Sequence, residues 1–326
     1  MSGGQKGDFI SEVAKHYNEV EQKPLRERSK SVIIDLRRFN NAMKSLMHHL
    51  AFKFAVAINN NREKFRVLDL GCGKGGDLPK YLRNDMVSLV VGVDIADVSI
   101  SQCIERYNSI QQSNRRCFKG EFFVADLTRV DIEKKLLELK CTEKFHVAST
   151  QFSIHYSFES FEQAVKYITN AANNLMKHGI FIGTYPDGPK LLKLARQSKT
   201  RGLYEVDDIL SVKFEPEDLD NPRPFGTKYH FKLREVVDCP EFLVHPEVLR
   251  KLMKLLGFYE VFDRSFEENL REAISNPNDG EKVKDIFYAH QALAFDEETK
   301  RARLDENMWR AASIYRCFCY KKIRDD

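Results

Sequence analysis

The sequence predicts an α/β chain built on a mostly parallel sheet of seven strands, with helices on both faces. Three observations carry that expectation. From residue 65 to residue 184, short β-type runs alternate with helical patterns, as βα units with parallel pairing do. The first of those runs breaks into a glycine-rich turn that opens a helix. Two late apolar runs, beyond residue 257, complete the count of strands.

Residues 1–60 are expected to be a helical extension, because SVIIDLRRFNNAMKSLMHHLAFKF is a long pattern with few breakers that mixes apolar and basic residues. Residues 61–326 are expected to form the main domain. Its strands are FRVLDL (65–70), LVVGVD (89–94), EFFVA (121–125), FHVASTQ (145–151) and IFIGTY (180–185). Between them Ile100, Cys103, Ile104, Tyr107 and Ile110 recur at helical spacing, as do Phe161, Ala164, Val165, Ile168, Ala172 and Leu175, so both sets read as helix faces packed on the sheet. The stretch 204–243 carries DDILSVKFEP, DNPRPFG and KYHFKLREVVD, an inserted antiparallel hairpin or small sheet. His245-Pro246-Glu247 starts a helix with Val248, Leu249, Leu252 and Leu256 on one face and Gly257 as its stop. FYEVFDR (258–264) and ASIYRCFCY (312–320) are the last two strands.

Composition narrows the class. In 326 residues, hydrophobic side chains make up 42% and charged ones 31%, which excludes a disordered or collagenous chain. The net charge of +4 permits an anionic partner without requiring one, so any electrostatic case is local. Apolar runs fall short of the ~18 residues that span a bilayer, and the N-terminus lacks the apolar core of a secretory signal. No membrane association is expected, and the chain is expected to stay inside the cell. Seven scattered cysteines without a CxxC pair read as reduced structural thiols, with neither zinc nor disulfides.

The strongest local signal is VLDLGCGKGGDL, residues 67–78. A phosphate-binding P-loop requires Lys and then Ser or Thr after its last glycine, whereas Asp77-Leu78 stands here. A dinucleotide fingerprint fits Gly71, Gly73 and Gly76 literally, with Asp94 placed for ribose hydroxyls. Asp69, two residues before the first glycine, tips the balance: a carboxylate there repels a pyrophosphate and suits a cationic ligand such as S-adenosylmethionine. Asp126 after the third strand adds a third acid. Taken singly, each acid is equally well a cap for the helix that follows. Together behind this loop, they form a constellation.

The loop and its acids resemble those of the class I methyltransferases, whose fold is Rossmann-like. Four further segments are similar to the mRNA cap (guanine-N7) methyltransferases, in the same order and from about residue 12 onward: SVIIDLRRFNNAMK (31–44), QFSIHYSFES (151–160), VVDCPEFLV (236–244) and ASIYRCF (312–318). Carried over residue by residue, the resemblance implies that Lys44, Gly71, Asp94, Asp126, Gln151 and Tyr156 hold S-adenosylmethionine. For the capped RNA end it implies Asn40, Asn41, Lys74, Lys80, Arg106, His155, Glu241 and Tyr315. The chemistry agrees: Lys74, Lys80 and Arg106 are cations suited to a triphosphate bridge. Phe152, His155 and Tyr156 offer flat side chains for a base. Glu241 can accept from the N1–H and exocyclic amine of guanine. The chain departs from the family at Ala42, where relatives often carry a large side chain, and in a segment 265–307 shorter than in animal members.

The activity so implied is methyl transfer to guanine N7, which carries no proton at neutral pH and needs no general base. Alternatives are the same fold acting on a small molecule or a protein, a cap-binding module without turnover, and, weakest, a dinucleotide oxidoreductase. The resemblance also implies a nuclear location and, as partners, a small activating subunit, capping enzyme and RNA polymerase II.

Overall fold

The computed structural model describes residues 9–19, 31–59, 64–292 and 304–324; the boundary expected at 60/61 lies outside them. Among the described residues two helices come first, α1 (Phe9–Glu19) and α2 (Ile34–Asn59). The alternating core follows as β1 (Phe65–Leu70), α3 (Leu78–Leu82), β2 (Val87–Asp94), α4 (Asp97–Ser113), β3 (Lys119–Val124), α5 (Glu133–Glu138), β4 (Phe145–Gln151), α6 (Phe161–Asn174) and β5 (Leu175–Pro186). Beyond α7 (Gly188–Gln197) lie β6 (Leu203–Val206), β7 (Leu210–Phe214), α8 (Pro216–Asp220), β8 (Lys228–Leu233) and β9 (Val237–Phe242). The chain closes through α9 (Pro246–Leu255), β10 (Phe258–Ser265), α10 (Phe266–Ser275), α11 (Gly280–Ala289), α12 (Glu306–Ala312) and β11 (Tyr315–Lys322).

The main sheet runs β10-β11-β5-β4-β1-β2-β3. Strands β1 to β5 pair in parallel, and β11 lies antiparallel to both of its neighbours. This is the expected seven-stranded, mostly parallel sheet. The expected insertion is a separate four-stranded antiparallel sheet, β6-β7-β8-β9. Strand order reverses between β1 and β4, and a ligand crevice opens at the carboxyl ends on either side of such a point. The glycine loop, Asp94, Asp126 and Phe152 all sit at those ends.

Side-chain alternation builds a core on each face. Phe65 and Val67 of β1 face the α2 side together with Cys317 and Cys319 of β11, whereas Leu68, Leu70, Phe318 and Tyr320 face α6 and α9. All seven residues of β4 are buried, as befits a central strand covered on both sides. Ile104 and Phe161, expected on packed helix faces, are exposed instead, because each lies at the margin of its apolar stripe. All seven cysteines are free.

Helix α2 explains its own length. Leu36, Phe39, Met43, Leu46 and Met47 are buried at three- and four-residue spacing and anchor it on the sheet. The same periodicity puts Arg37, Asn40, Asn41 and Lys44 on a second, polar stripe, and these residues reach the crevice.

The glycine loop is held by backbone geometry. Gly71, Gly73 and Gly75 have φ of 75°, 51° and 68°, the left-handed region that favours glycine. A Cβ at Gly71 would lie 2.3 Å from Ser153 Oγ, whereas one at Gly73 would meet nothing within 4 Å. Ser153 Oγ reaches Leu70 O at 3.1 Å, Thr150 Oγ1 at 2.8 Å and the Tyr167 hydroxyl at 2.9 Å, so the turn after β4 is fastened to the end of β1.

Gly71→Ala therefore adds a steric collision to the ~1–2 kcal/mol of the left-handed backbone, while Gly73→Ala carries the backbone cost alone. Thermal denaturation should show the larger loss for Gly71→Ala, and S-adenosylhomocysteine titration should show weakened binding for Gly73→Ala. Equal melting losses in the two variants would contradict this reading.

Candidate active site

Two adjoining cavities open at the crevice. The first, about 470 Å³, is walled by the glycine loop, Asp77, Asp94, Asp126, Gln151 and Tyr156. The second, about 520 Å³, is walled by Asn40, Asn41, His155, Phe231, Glu241 and Tyr315. Tyr17, Arg37, Lys44, Phe152 and Val236 belong to both walls. Both volumes suit small-molecule ligands.

In the first cavity Asp94 accepts from the Gly73 N–H at 2.7 Å and the Ala96 N–H at 3.0 Å. Burial raises its carboxyl pKa, and these N–H groups oppose that shift. Asp126 accepts from the Thr128 N–H at 2.9 Å and its hydroxyl at 2.6 Å. Both acids thus cap local turns and also line the cavity, with carboxylate lone pairs to spare. Gln151 is fixed by Ser149 at 3.1 Å and Thr184 at 3.2 Å. Lys74 and Arg106 stand on the same wall. The open space at Gly73, the paired acids and the volume fit S-adenosylmethionine.

Asp69 departs from its expected place. It is buried off both walls, where burial, reinforced by the neighbouring Asp77 carboxylate, pushes its carboxyl up to about 7. A group so easily protonated is not the fixed anion that a cationic ligand needs. The carboxylate that lines the first cavity beside the glycine loop is Asp77, which the sequence reading passed over. Its carboxylate lies 2.9 Å from Lys44 Nζ and 2.7 Å from Lys80 Nζ. Burial alone would raise its pKa, but the two ammonium groups outweigh burial and hold it far below the usual carboxylate range. Its signal in the sequence is its position, directly after the glycine pair.

Lys80 also departs from expectation. It is buried and lines neither cavity; its ammonium faces Asp77, Asn41 Oδ1 at 3.2 Å and the Gly76 carbonyl at 3.4 Å. A lysine in that position is not a solvated surface cation.

The second cavity centres on Glu241. Only 3% exposed, it accepts from the Tyr229 hydroxyl at 2.8 Å and the Tyr156 hydroxyl at 3.3 Å, and its Oε1 lies 3.3 Å from His155 Nε2. Tyr156 lines the first cavity while its hydroxyl reaches Glu241 in the second. That hydroxyl also meets Tyr17 of α1 at 2.9 Å. Phe152 has φ of 56°, a strained value for a bulky residue, held by its N–H donating to Thr184 O at 3.1 Å and Thr184 Oγ1 at 3.0 Å. Its ring meets Tyr315 edge-on at 4.9 Å. Asn40 Oδ1 is buried with no hydrogen-bond partner, an acceptor left for a ligand. Besides Asp77, sequence reasoning missed Tyr17 and Arg37. Arg37 had a usable signal, since it lies one turn before the Asn pair and two before Lys44.

Among the described residues, no group of three or more His, Cys, Asp or Glu side chains is placed to hold a metal ion. Nor is any helix among them long and apolar enough to cross a membrane.

The chain matches the family model of the mRNA (guanine-N(7))-methyltransferase domain over residues 2–323. It is 34% identical to the mRNA cap guanine-N(7) methyltransferase of Drosophila melanogaster, across 96% of this chain and 77% of that protein. It is 32% identical to mRNA cap guanine-N(7) methyltransferase 1 of Oryza sativa subsp. japonica, across 98% and 85%. Among solved structures, an S-adenosylmethionine-dependent methyltransferase from Clostridium acetobutylicum shares the fold, with a TM-score of 0.50 at 14% identity over 97% of this chain and 100% of that one. The chain therefore belongs to the mRNA cap guanine-N7 methyltransferases, enzymes that depend on S-adenosylmethionine.

Proposed function

We propose that the second cavity holds the terminal guanine of a GpppN-capped RNA with Glu241 as its reader, and that the methyl group passes to N7 by in-line displacement without a general base. The supporting observation is the contact of the Tyr156 hydroxyl, on the first wall, with Glu241, the only carboxylate among the described residues of the second. Guanine presents two adjacent donors, N1–H and the exocyclic amine. A buried carboxylate accepts both, whereas adenine offers an acceptor at N1 and would leave the anion short of partners.

When bound in the first cavity, S-adenosylmethionine supplies a methyl group on a cationic sulfur, to which the N7 lone pair is the nucleophile. The protein's own contribution is alignment of two ligands across a shared wall, worth up to ~7–11 kcal/mol in favourable cases. Asp94 and Asp126 hold the donor's ribose and base side, and Gln151 is pre-set by its two hydroxyl partners. Phe152, fixed by Thr184, supports the acceptor base where both cavities meet. Lys74 and Arg106, on the wall of the first cavity, are cations suited to the triphosphate. No proton leaves N7, so His155 serves to place Glu241 rather than to accept one. On this reading the substrate is nascent transcript and the place of work is the nucleus. A small activating subunit, capping enzyme and RNA polymerase II are its expected neighbours.

The direct test is transfer of labelled methyl from S-adenosylmethionine to GpppA- or GpppG-capped RNA, with uncapped RNA as control and the position mapped; label elsewhere than N7 rejects the reading. Glu241→Gln should raise KM for capped RNA by roughly 10–100-fold, the scale of a lost hydrogen bond to a charged group, and leave the KM for S-adenosylmethionine unchanged. Asp94→Ala should do the reverse. His155→Asn should raise KM with kcat falling less than the ~100-fold expected for loss of a general base; a larger fall in kcat would restore a base to the mechanism.

A further inference from the structure

The geometry points to Glu235 as a positioning residue for methyl transfer: its strained turn, clamped by Arg37 of α2, holds Val236 at the junction of the two cavities. The assignment rests on the reading of those cavities as sites for the methyl donor and the capped guanosine.

The turn that joins β8 to β9 is tight. Leu233 and Val237 pair across the two strands, and the Val236 N–H donates to the Leu233 carbonyl at 3.0 Å, which closes a four-residue turn with Glu235 in its third place. Glu235 has φ of 61°, and a turn with positive φ at that place favours glycine. A glutamate there carries a conformational cost that glycine avoids. Such costs persist only where the surroundings hold them, and they gather at functional sites.

Two arginines do the holding. Arg234 ties the turn to the neighbouring turn between β6 and β7: its N–H reaches the Ile209 carbonyl at 2.9 Å, and its guanidinium pairs with Asp208. Arg37 approaches from the opposite side of the crevice. Its Nη2 donates to the Glu235 carbonyl at 3.2 Å and lies 4.0 Å from the Glu235 carboxylate, so the backbone of the turn and its charged side chain meet the same guanidinium.

Position gives this clamp its consequence. Glu235 lines the first cavity, Leu233 and Val237 line the second, and Arg37 and Val236 line both. The turn thus carries the inserted sheet across the boundary between donor and acceptor, and Val236 is the side chain it leaves there. A methyl group passing from one cavity to the other crosses that boundary. An apolar side chain fixed beside the path keeps water from it and limits how far the two ligands can drift apart, which is the alignment that this reaction depends on. Glu235→Gly would relieve the strain and, by the same stroke, free the turn to carry Val236 away.

The test uses the full chain and measures the single-turnover rate of methyl transfer to GpppA-capped RNA with both ligands saturating, which separates transfer from binding and product release, together with thermal melting. Glu235→Gly should melt at or above the wild-type temperature, because relief of the left-handed backbone offsets the added freedom of the unfolded chain, yet transfer the methyl group roughly ten-fold more slowly. Arg37→Met keeps the bulk of the side chain, removes its donors and should show the same slowing. The double variant should lose no more than the slower single variant, since both release one clamp. A Glu235→Gly rate equal to that of the wild type, a clear fall in its melting temperature, or additive losses in the double variant overturns the positioning role. So does an Arg37→Met variant whose loss lies in GpppA affinity, with a salt dependence reduced by about one ion, the mark of a lost phosphate contact. Wild-type protein that fails to methylate the cap guanine at N7 would instead overturn the underlying assignment of the cavities.

Discussion

Gly71 has no side chain, and Ser153 occupies the room this leaves; both cavities take their shape from that contact. The Ser153 hydroxyl ties Leu70 O, Thr150 and Tyr167 into one buried cluster, so the end of β1, the end of β4 and helix α6 meet at a point. Phe152 is thereby forced into a left-handed backbone, with Thr184 receiving its N–H. His155 and Tyr156 follow within one short helical turn. The donor-side loop and the acceptor-side platform are two ends of a single rigid connection, as catalysis by alignment requires.

Much of this was legible in the sequence where a residue's surroundings follow from its neighbours in the chain. The bounds of β1 and β4 match expectation because central strands are apolar on both faces. β5 starts earlier than expected, at Leu175, since its first residues pair with β4 across a register shift that polar Lys177 and His178 disguise. The insertion read as a hairpin or small sheet resolves into four strands, of which β6, β7 and β8 alternate buried and more exposed residues while β9 ends on the buried pair Glu241 and Phe242. Spacing alone could not rank Asp69 against Asp77, which stand eight residues apart on either side of the glycine loop. Only packing shows that one is buried beside a like charge while the other carries two cations. The burial of Lys80 against Asp77 was hidden for the same reason, and Tyr17 was invisible because its partner Tyr156 lies 139 residues away.

Buried charge recurs as a structural device. Arg316 joins Asp263 at 2.9 Å and Asp187 at 3.2 Å, and Tyr185 donates to Asp263 at 2.7 Å. This cluster fastens the end of β5 to β10 and β11, next to Pro186 and Tyr315 of the acceptor wall. As with Asp77 and its two lysines, each anion is paired with a cation, a condition under which burial of charge specifies one arrangement instead of destabilising the fold.

The wall common to both cavities also bears on inhibition. Tyr17, Arg37, Lys44, Phe152 and Val236 each line two cavities, so a substitution that evicts a compound lodged at the junction alters both walls together. A compound spanning the two sites would meet surfaces that resistance cannot easily reshape. One confined to either cavity would rest on residues free to change on behalf of a single ligand.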